Sequence, residues 1–83
     1  MFNENDFKNI DIFGDLEDAL KVAEGKHPVF AEGVAQGLGR IGEEFGELCQ
    51  SINHGEGEDR IKSEALDLLV VAWRFYRRDW EVK

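Results

Sequence analysis

The sequence has little cysteine, few basic residues and no long apolar run, and each shortage disfavours a class of protein. Its one cysteine, Cys49, permits no internal disulfide, so a reducing cytoplasm is the expected compartment. The formal charge of −8 disfavours a general nucleic-acid binder, which needs a basic surface. No stretch approaches the roughly eighteen apolar residues of a membrane span, and the N-terminus lacks a signal-peptide pattern. We therefore expect a soluble protein with neither a nucleic-acid nor a membrane partner.

Length and composition predict one folded domain over residues 1–83. An apolar content of 42% with nine aromatic residues is typical of a protein with a core. Residues 1–14 show neither helical nor strand periodicity and are predicted to form an irregular arm. The rest of the chain predicts an all-α fold.

Three helices are expected, at residues 16–24, 29–53 and 58–78. Asp15 is the predicted N-cap of the first helix and Gly25 its stop. The single proline, Pro28, is expected in the first turn of the second helix. Residues 53–57, Asn-His-Gly-Glu-Gly, predict the turn of a helical hairpin. The second helix carries an apolar stripe at alternating four- and three-residue steps, which predicts its core face: Val34, Leu38, Ile41, Phe45, Leu48 and Ile52.

Two acidic pairs lie in the hairpin. Glu44 with Glu47, and Glu64 with Asp67, have i, i+3 spacing, which puts each pair on one helix face. An antiparallel hairpin brings the pairs together, and four clustered carboxylates repel one another unless a cation neutralises them. Oxygen-only ligands favour Mg²⁺, with Mn²⁺ as its usual substitute.

Asp67 carries the strongest argument for a cation. It is the one charged residue in the run 65–73, which is apolar around most of the helix. We therefore expect Asp67 to be at least partly buried. An unpaired carboxylate in such a place destabilises the fold by roughly several kcal/mol. The other interpretation of the four carboxylates is a solvated helix surface, with pairs such as Glu43 with Arg40.

The segment Gly-Glu-Glu-Phe-Gly-Glu-Leu at residues 42–48, followed by Glu-Ala-Leu-Asp at 64–67, resembles the EExxE and ExxD signature of MazG-like all-α nucleoside triphosphate pyrophosphohydrolases. The resemblance covers roughly residues 34–76. It implies hydrolysis of a (deoxy)nucleoside triphosphate to monophosphate and pyrophosphate, in nucleotide-pool housecleaning. It also implies that Glu44, Glu47, Glu64 and Asp67 are the catalytic Mg²⁺ ligands.

Two alternatives remain open from the sequence. Phosphoribosyl-ATP pyrophosphohydrolases share a similar acidic pattern, but Val70-Val71 stands where their second motif has Tyr-His. A non-catalytic acidic helical protein, serving interaction or oligomerisation, needs no buried Asp67.

The third helix also predicts assembly and a substrate contact. Its apolar surface is larger than a chain of this size covers alone, so we expect a homodimer, or a tetramer of dimers, in which the hairpins form a four-helix-type bundle. Arg74 lies two turns beyond Asp67 and is the predicted contact for a substrate phosphate.

Overall fold

The computed structural model describes residues 11–82, which contain three α-helices and no strands. We number them α1 (Ile12–Lys26), α2 (Val34–Asn53) and α3 (Glu58–Tyr76). The helices α2 and α3 form the predicted hairpin, and α1 packs on α3. None of the three has both the length and the apolar character needed to cross a membrane. The all-α prediction is confirmed for this part of the chain.

Helix α1 is longer than predicted at both ends. Asp11, rather than Asp15, is the N-cap, because its Oδ1 accepts a hydrogen bond from the Gly14 amide at 3.0 Å. The last four residues of the expected irregular arm are therefore the cap and first turn of a helix, while residues 1–10 of that arm lie outside the described range. The helix also continues past Gly25 to Lys26. Four apolar residues of the helix are half-buried: Leu16, Ala19, Leu20 and Ala23.

The segment between α1 and α2 is not helical, so the predicted start of the second helix near Val29 is wrong. Phe30 and Ala31 are buried in the small core with Val71 of α3. Arg74 Nη1 donates a hydrogen bond to the His27 carbonyl at 2.9 Å. The Gly33 amide, at φ +102°, donates to the Trp80 carbonyl at 2.7 Å. These contacts with α3 and the C-terminal residues hold the segment in a non-helical path.

The face of α2 that packs in the hairpin differs from the predicted stripe. Four stripe residues are exposed: Val34, Leu38, Phe45 and Ile52. Gly37 and Ser51 are buried instead, and a Cβ at Gly37 would lie 3.1 Å from the Phe75 ring. Small residues allow α2 and α3 to approach closely. The periodicity of apolar residues does not reveal this kind of contact. Only Ile41 and Leu48, both half-buried, belong to the predicted stripe and to the observed inner face.

One side of the hairpin is apolar and exposed. We call it the outer side, and it comprises Val34, Leu38, Phe45, Ile52, Leu69 and Tyr76. Arg40 and Glu44 of α2, with Asp67 and Val70 of α3, line a cavity against α1. Because an α-helix turns by about 100° per residue, the outer-side residues lie on the opposite side of the hairpin from α1.

Candidate metal centre

Three glutamates meet where the inner faces of α2 and α3 pack together. Glu44 and Glu47 lie one turn apart on α2, and Glu64 lies opposite them on α3. One carboxylate oxygen from each residue lies within 4.8 Å of the other two. Glu64 is only 4% exposed, Glu44 is half-buried and Glu47 is exposed. The hairpin thus brings three of the four predicted carboxylates into one cluster, which opens toward solvent on the Glu47 side.

The cluster carries an electrostatic penalty. Burial raises the pKa of Glu44 from 4.5 to about 7, and repulsion from Glu47, Asp67 and Glu64 adds to the increase. Burial also raises the pKa of Asp67, as does the charge of Glu64, while Arg60 and Lys26 act in the opposite direction. Ionising these groups together is unfavourable without a compensating positive charge.

Two carboxylate oxygens in the cluster are buried and accept no hydrogen bond from the described residues. They are Glu44 Oε2 and Glu64 Oε2. Arg60 forms an ion pair with Glu64 through Oε1, which lies 2.9 Å from Arg60 Nη2. The side chain of Arg60 is itself 60% exposed. When Glu44 is protonated, a hydrogen bond to Glu47 stabilises its neutral carboxyl group. When Glu44 is ionised, its Oε2 accepts no hydrogen bond from the described residues. Buried acceptors are normally paired, so these two oxygens indicate a ligand.

The chemistry of the donors fits a hard divalent cation. All three residues offer carboxylate oxygens, with no nitrogen or sulfur ligand in the cluster. Carboxylate sets of this kind suit Mg²⁺, Mn²⁺ and Ca²⁺. The residues present therefore fit the implied ion on chemical grounds, and the two unpaired buried oxygens are the structural observation that supports it.

Asp67 lies beside this cluster rather than within it. It lines the same cavity as Glu44, and the charges of Asp67 and Glu44 interact. Asp67 was expected to be at least partly buried; by accessible surface it is exposed in the single chain, while desolvation of its carboxylate still raises its pKa. The apolar residues Leu69 and Trp73, which were expected to surround it, are partly exposed on other faces of α3. The residue buried without full compensation is instead Glu64.

Arg74 is in a different environment from the one predicted. Its side chain is 4% exposed, and its Nε lies 3.2 Å from Asp79 Oδ2. Its guanidinium carbon lies 5.2 Å from the centre of the Phe30 ring. With Nη1 on the His27 carbonyl, the side chain is committed to holding the α1–α2 segment on α3. Nothing in these contacts supports the predicted phosphate contact.

The remaining predicted residues lie close to their expected positions. Glu43 is exposed. His27 and His54 are the C-cap residues of α1 and α2. Cys49 is half-buried and free.

Sequence reasoning missed two cations beside the cluster. Arg40 was paired with Glu43 as a surface interaction, but it lines the cavity with Glu44. Lys26, in the last turn of α1, lines the same cavity. The signal for Arg40 was its i, i+4 spacing to Glu44, which puts both on one helix face. Lys26 gave no such signal, because only the tertiary fold brings α1 to the hairpin.

Comparison with protein-family models, with curated proteins and with solved structures found no match.

Proposed function

We propose that this chain is a metal-dependent nucleoside triphosphate pyrophosphohydrolase that converts a nucleoside triphosphate and water to the monophosphate and pyrophosphate. The observation that carries the proposal is the meeting of Glu44, Glu47 and Glu64 within 4.8 Å, with buried, unpaired oxygens on two of them. The sequence resemblance to MazG-like enzymes supplies the reaction, and the geometry supplies a place for its metal.

Glu44, Glu47 and Glu64 would hold Mg²⁺, or Mn²⁺ in its place, with Asp67 beside them as the predicted fourth ligand. Bound there, such cations supply charge neutralisation to a triphosphate and lower the pKa of the attacking water. The protein contributes a fixed arrangement of oxygens. Glu64 is held by packing and by Arg60, and Glu44 is held at the contact between two helices.

The bond that we expect to be cut lies between the α- and β-phosphates. Pyrophosphate binds divalent cations far better than a nucleoside does, so it is the leaving fragment that a carboxylate-held cation favours. The test is a phosphate-release assay over the common ribo- and deoxyribonucleoside triphosphates, with Mg²⁺ and with EDTA. We expect no orthophosphate until inorganic pyrophosphatase is added. Direct orthophosphate release, with nucleoside diphosphate as co-product, contradicts the proposed reaction.

We propose, further, that two copies associate through the outer side. Its six apolar residues lie on the face opposite α1, and Leu38 alone is 63% exposed. Pairing two hairpins there gives a four-helix bundle, the arrangement that buries such stripes in helical proteins. Light scattering of the chain at micromolar concentration should give at least twice its mass of 9.5 kDa. A monodisperse monomer contradicts this assembly.

The same exposed outer side favours one second candidate, a non-catalytic interaction protein. That function requires a complementary partner but no cation. A Mg²⁺-dependent rise in melting temperature separates the two, because a ligand that binds only the folded state stabilises it. Absence of any rise, together with no nucleotide turnover, favours the interaction protein. As an enzyme, the chain would act in the cytoplasm on the nucleotide pool.

A further inference from the structure

A cleft separates the C-terminal half of α1 from the hairpin, and we call it the α1 cleft. It has a volume of about 310 Å³, at the lower end of the range for small-ligand sites. One wall is aliphatic and includes Val22, Val70 and Val71. Its polar groups include the carboxylates Glu44 and Asp67 and the cations Lys26 and Arg40. The cleft therefore presents two cations together with two carboxylates.

The two cations are available to a ligand. Within residues 11–82, neither Lys26 nor Arg40 has a carboxylate within ion-pair distance, although other cations of the described chain do. The guanidinium carbon of Arg40 lies 5.7 Å from the centre of the Phe30 ring, a cation–π contact. The charge of Lys26 reaches Asp67, whose pKa it lowers.

The other cavity at the cluster has the opposite character. It runs along α2, where it is lined by Glu43, Glu47, Cys49 and Asn53, and His54 is the one ionisable base among its described lining residues. A polyanion placed there meets carboxylates without a lysine or arginine. A polyanion in the α1 cleft meets two cations as well as carboxylates.

We propose that the α1 cleft is the binding site for the phosphate chain of the substrate, and that Lys26 and Arg40 contact the phosphate oxygens that the metal does not. This inference rests on the proposed function and names the substrate-binding residues of the same site. The described lining residues include no amide or hydroxyl side chain to recognise the edge of a base.

The test is a binding measurement by methyl NMR on the whole chain. The protein carries ¹³C-labelled methyl groups and Mg²⁺ at saturation, and the probes are inorganic tripolyphosphate and α,β-methylene-ATP. Both probes should shift the methyl signals of Val22, Val70 and Val71. The methyl signals of Val34 and Leu38, on the outer side, should stay in place.

Charge-removing variants test the two cations. Lys26→Gln and Arg40→Gln should each weaken binding of both probes about tenfold, equal to about 1.4 kcal/mol for the loss of one charge-assisted contact. Lys21→Gln is the matched control, because Lys21 is on the same helix with its ion pair to Glu17 and does not line the cleft. It should change the affinity by less than twofold. Lys26→Arg should retain tight binding, and Mg²⁺ affinity without a probe should not fall in Lys26→Gln.

The outcomes separate this proposal from the proposed function. If probes bind with Mg²⁺ but Lys26→Gln and Arg40→Gln retain the affinity of the parent chain, the cleft assignment is overturned and the enzyme remains. The same holds if the valine methyl signals stay in place while, in a parallel ¹⁵N spectrum, the backbone amides of Cys49 and Asn53 shift instead. If neither probe binds and no nucleotide is hydrolysed, the proposed function itself is overturned.

Discussion

Replacing Glu44 by glutamine should remove most of the pH dependence of stability in the metal-free protein. In the folded chain the pKa of Glu44 is about 7, against an ordinary value of 4.5. Between these two values the folded state binds more protons than the unfolded state, so the free energy of unfolding falls as pH rises from 4.5 through 7. Above about pH 8 this contribution is constant.

The size of the effect follows from the shift. Each pKa unit corresponds to about 1.36 kcal/mol, so the full shift sets a ceiling of roughly 3.4 kcal/mol. Because Glu44 is only half-buried and water screens the repulsion, we expect roughly 1–2 kcal/mol. For a domain of this length, that is a fall in melting temperature of about 5–10 °C. Glutamine carries no charge at either pH, so the variant should lose most of this fall.

The assay is thermal unfolding followed by circular dichroism in EDTA, at pH 5 and pH 8. Glu43→Gln is the matched control, since at pH 8 it removes the same charge at an adjacent, exposed position outside the cluster. The control should keep the fall seen in the parent chain. Saturating Mg²⁺ at pH 8 should stabilise the parent chain by about 2.7 kcal/mol at a hundredfold excess over Kd, but should not stabilise Glu44→Gln to that extent. An equal fall in the parent chain, the control and Glu44→Gln would refute the electrostatic account of the cluster.

Four further substitutions test other parts of the structure. Asp67→Asn should abolish hydrolysis because metal affinity is lost. It should also slightly raise the melting temperature of the metal-free protein, because repulsion with Glu64 is relieved. Full activity of a folded variant removes Asp67 from the site. Gly37→Ala should lower stability by about 1–2 kcal/mol in urea unfolding, because the added methyl contacts two aromatic side chains at 3.1–3.2 Å. At Gly39 an added methyl meets nothing within 4 Å, so Gly39→Ala should raise stability by up to about 1 kcal/mol. Equal effects of the two substitutions would contradict the packing of α2. Arg74→Leu should lower the free energy of unfolding by about 2–3 kcal/mol, because the ion pair with Asp79 and the hydrogen bond to the His27 carbonyl are lost. Loss of substrate binding at unchanged stability would instead support Arg74 as a phosphate contact.

The fold was predictable where local signals decide it. The hairpin turn at residues 53–57 and the beginning of α3 at Glu58 follow from glycine and polar residues that end one helix and begin another. The start of α2 was not predictable in this way. Pro28 suits a helix start, but residues 28–33 are not helical, and Phe30 and Ala31 are buried against Val71. That burial is a contact between segments far apart in sequence, which no local pattern contains.

The candidate site shows the same division. The i, i+3 spacing correctly placed Glu44 and Glu47 on one helix face, and the predicted hairpin correctly brought Glu64 close to them. The burial of individual carboxylates was assigned from the hydrophobicity of neighbours in sequence, which favoured Asp67. Burial depends instead on which face of α3 packs on α2. That face includes Glu64 and Val71, and its position was set by the small residues Gly37 and Ser51.

The most direct test of the metal centre is a Mn²⁺ titration followed by NMR relaxation of the backbone amides. We predict saturable broadening confined to the residues around Glu44, Glu47 and Glu64, and its loss in Glu64→Gln. The carboxylates of α1, such as Asp15 and Asp18, provide an internal control, because they are exposed acidic groups outside the cluster. Broadening that spreads equally over α1 and α2, or that persists unchanged in Glu64→Gln, would contradict a metal site at the three glutamates.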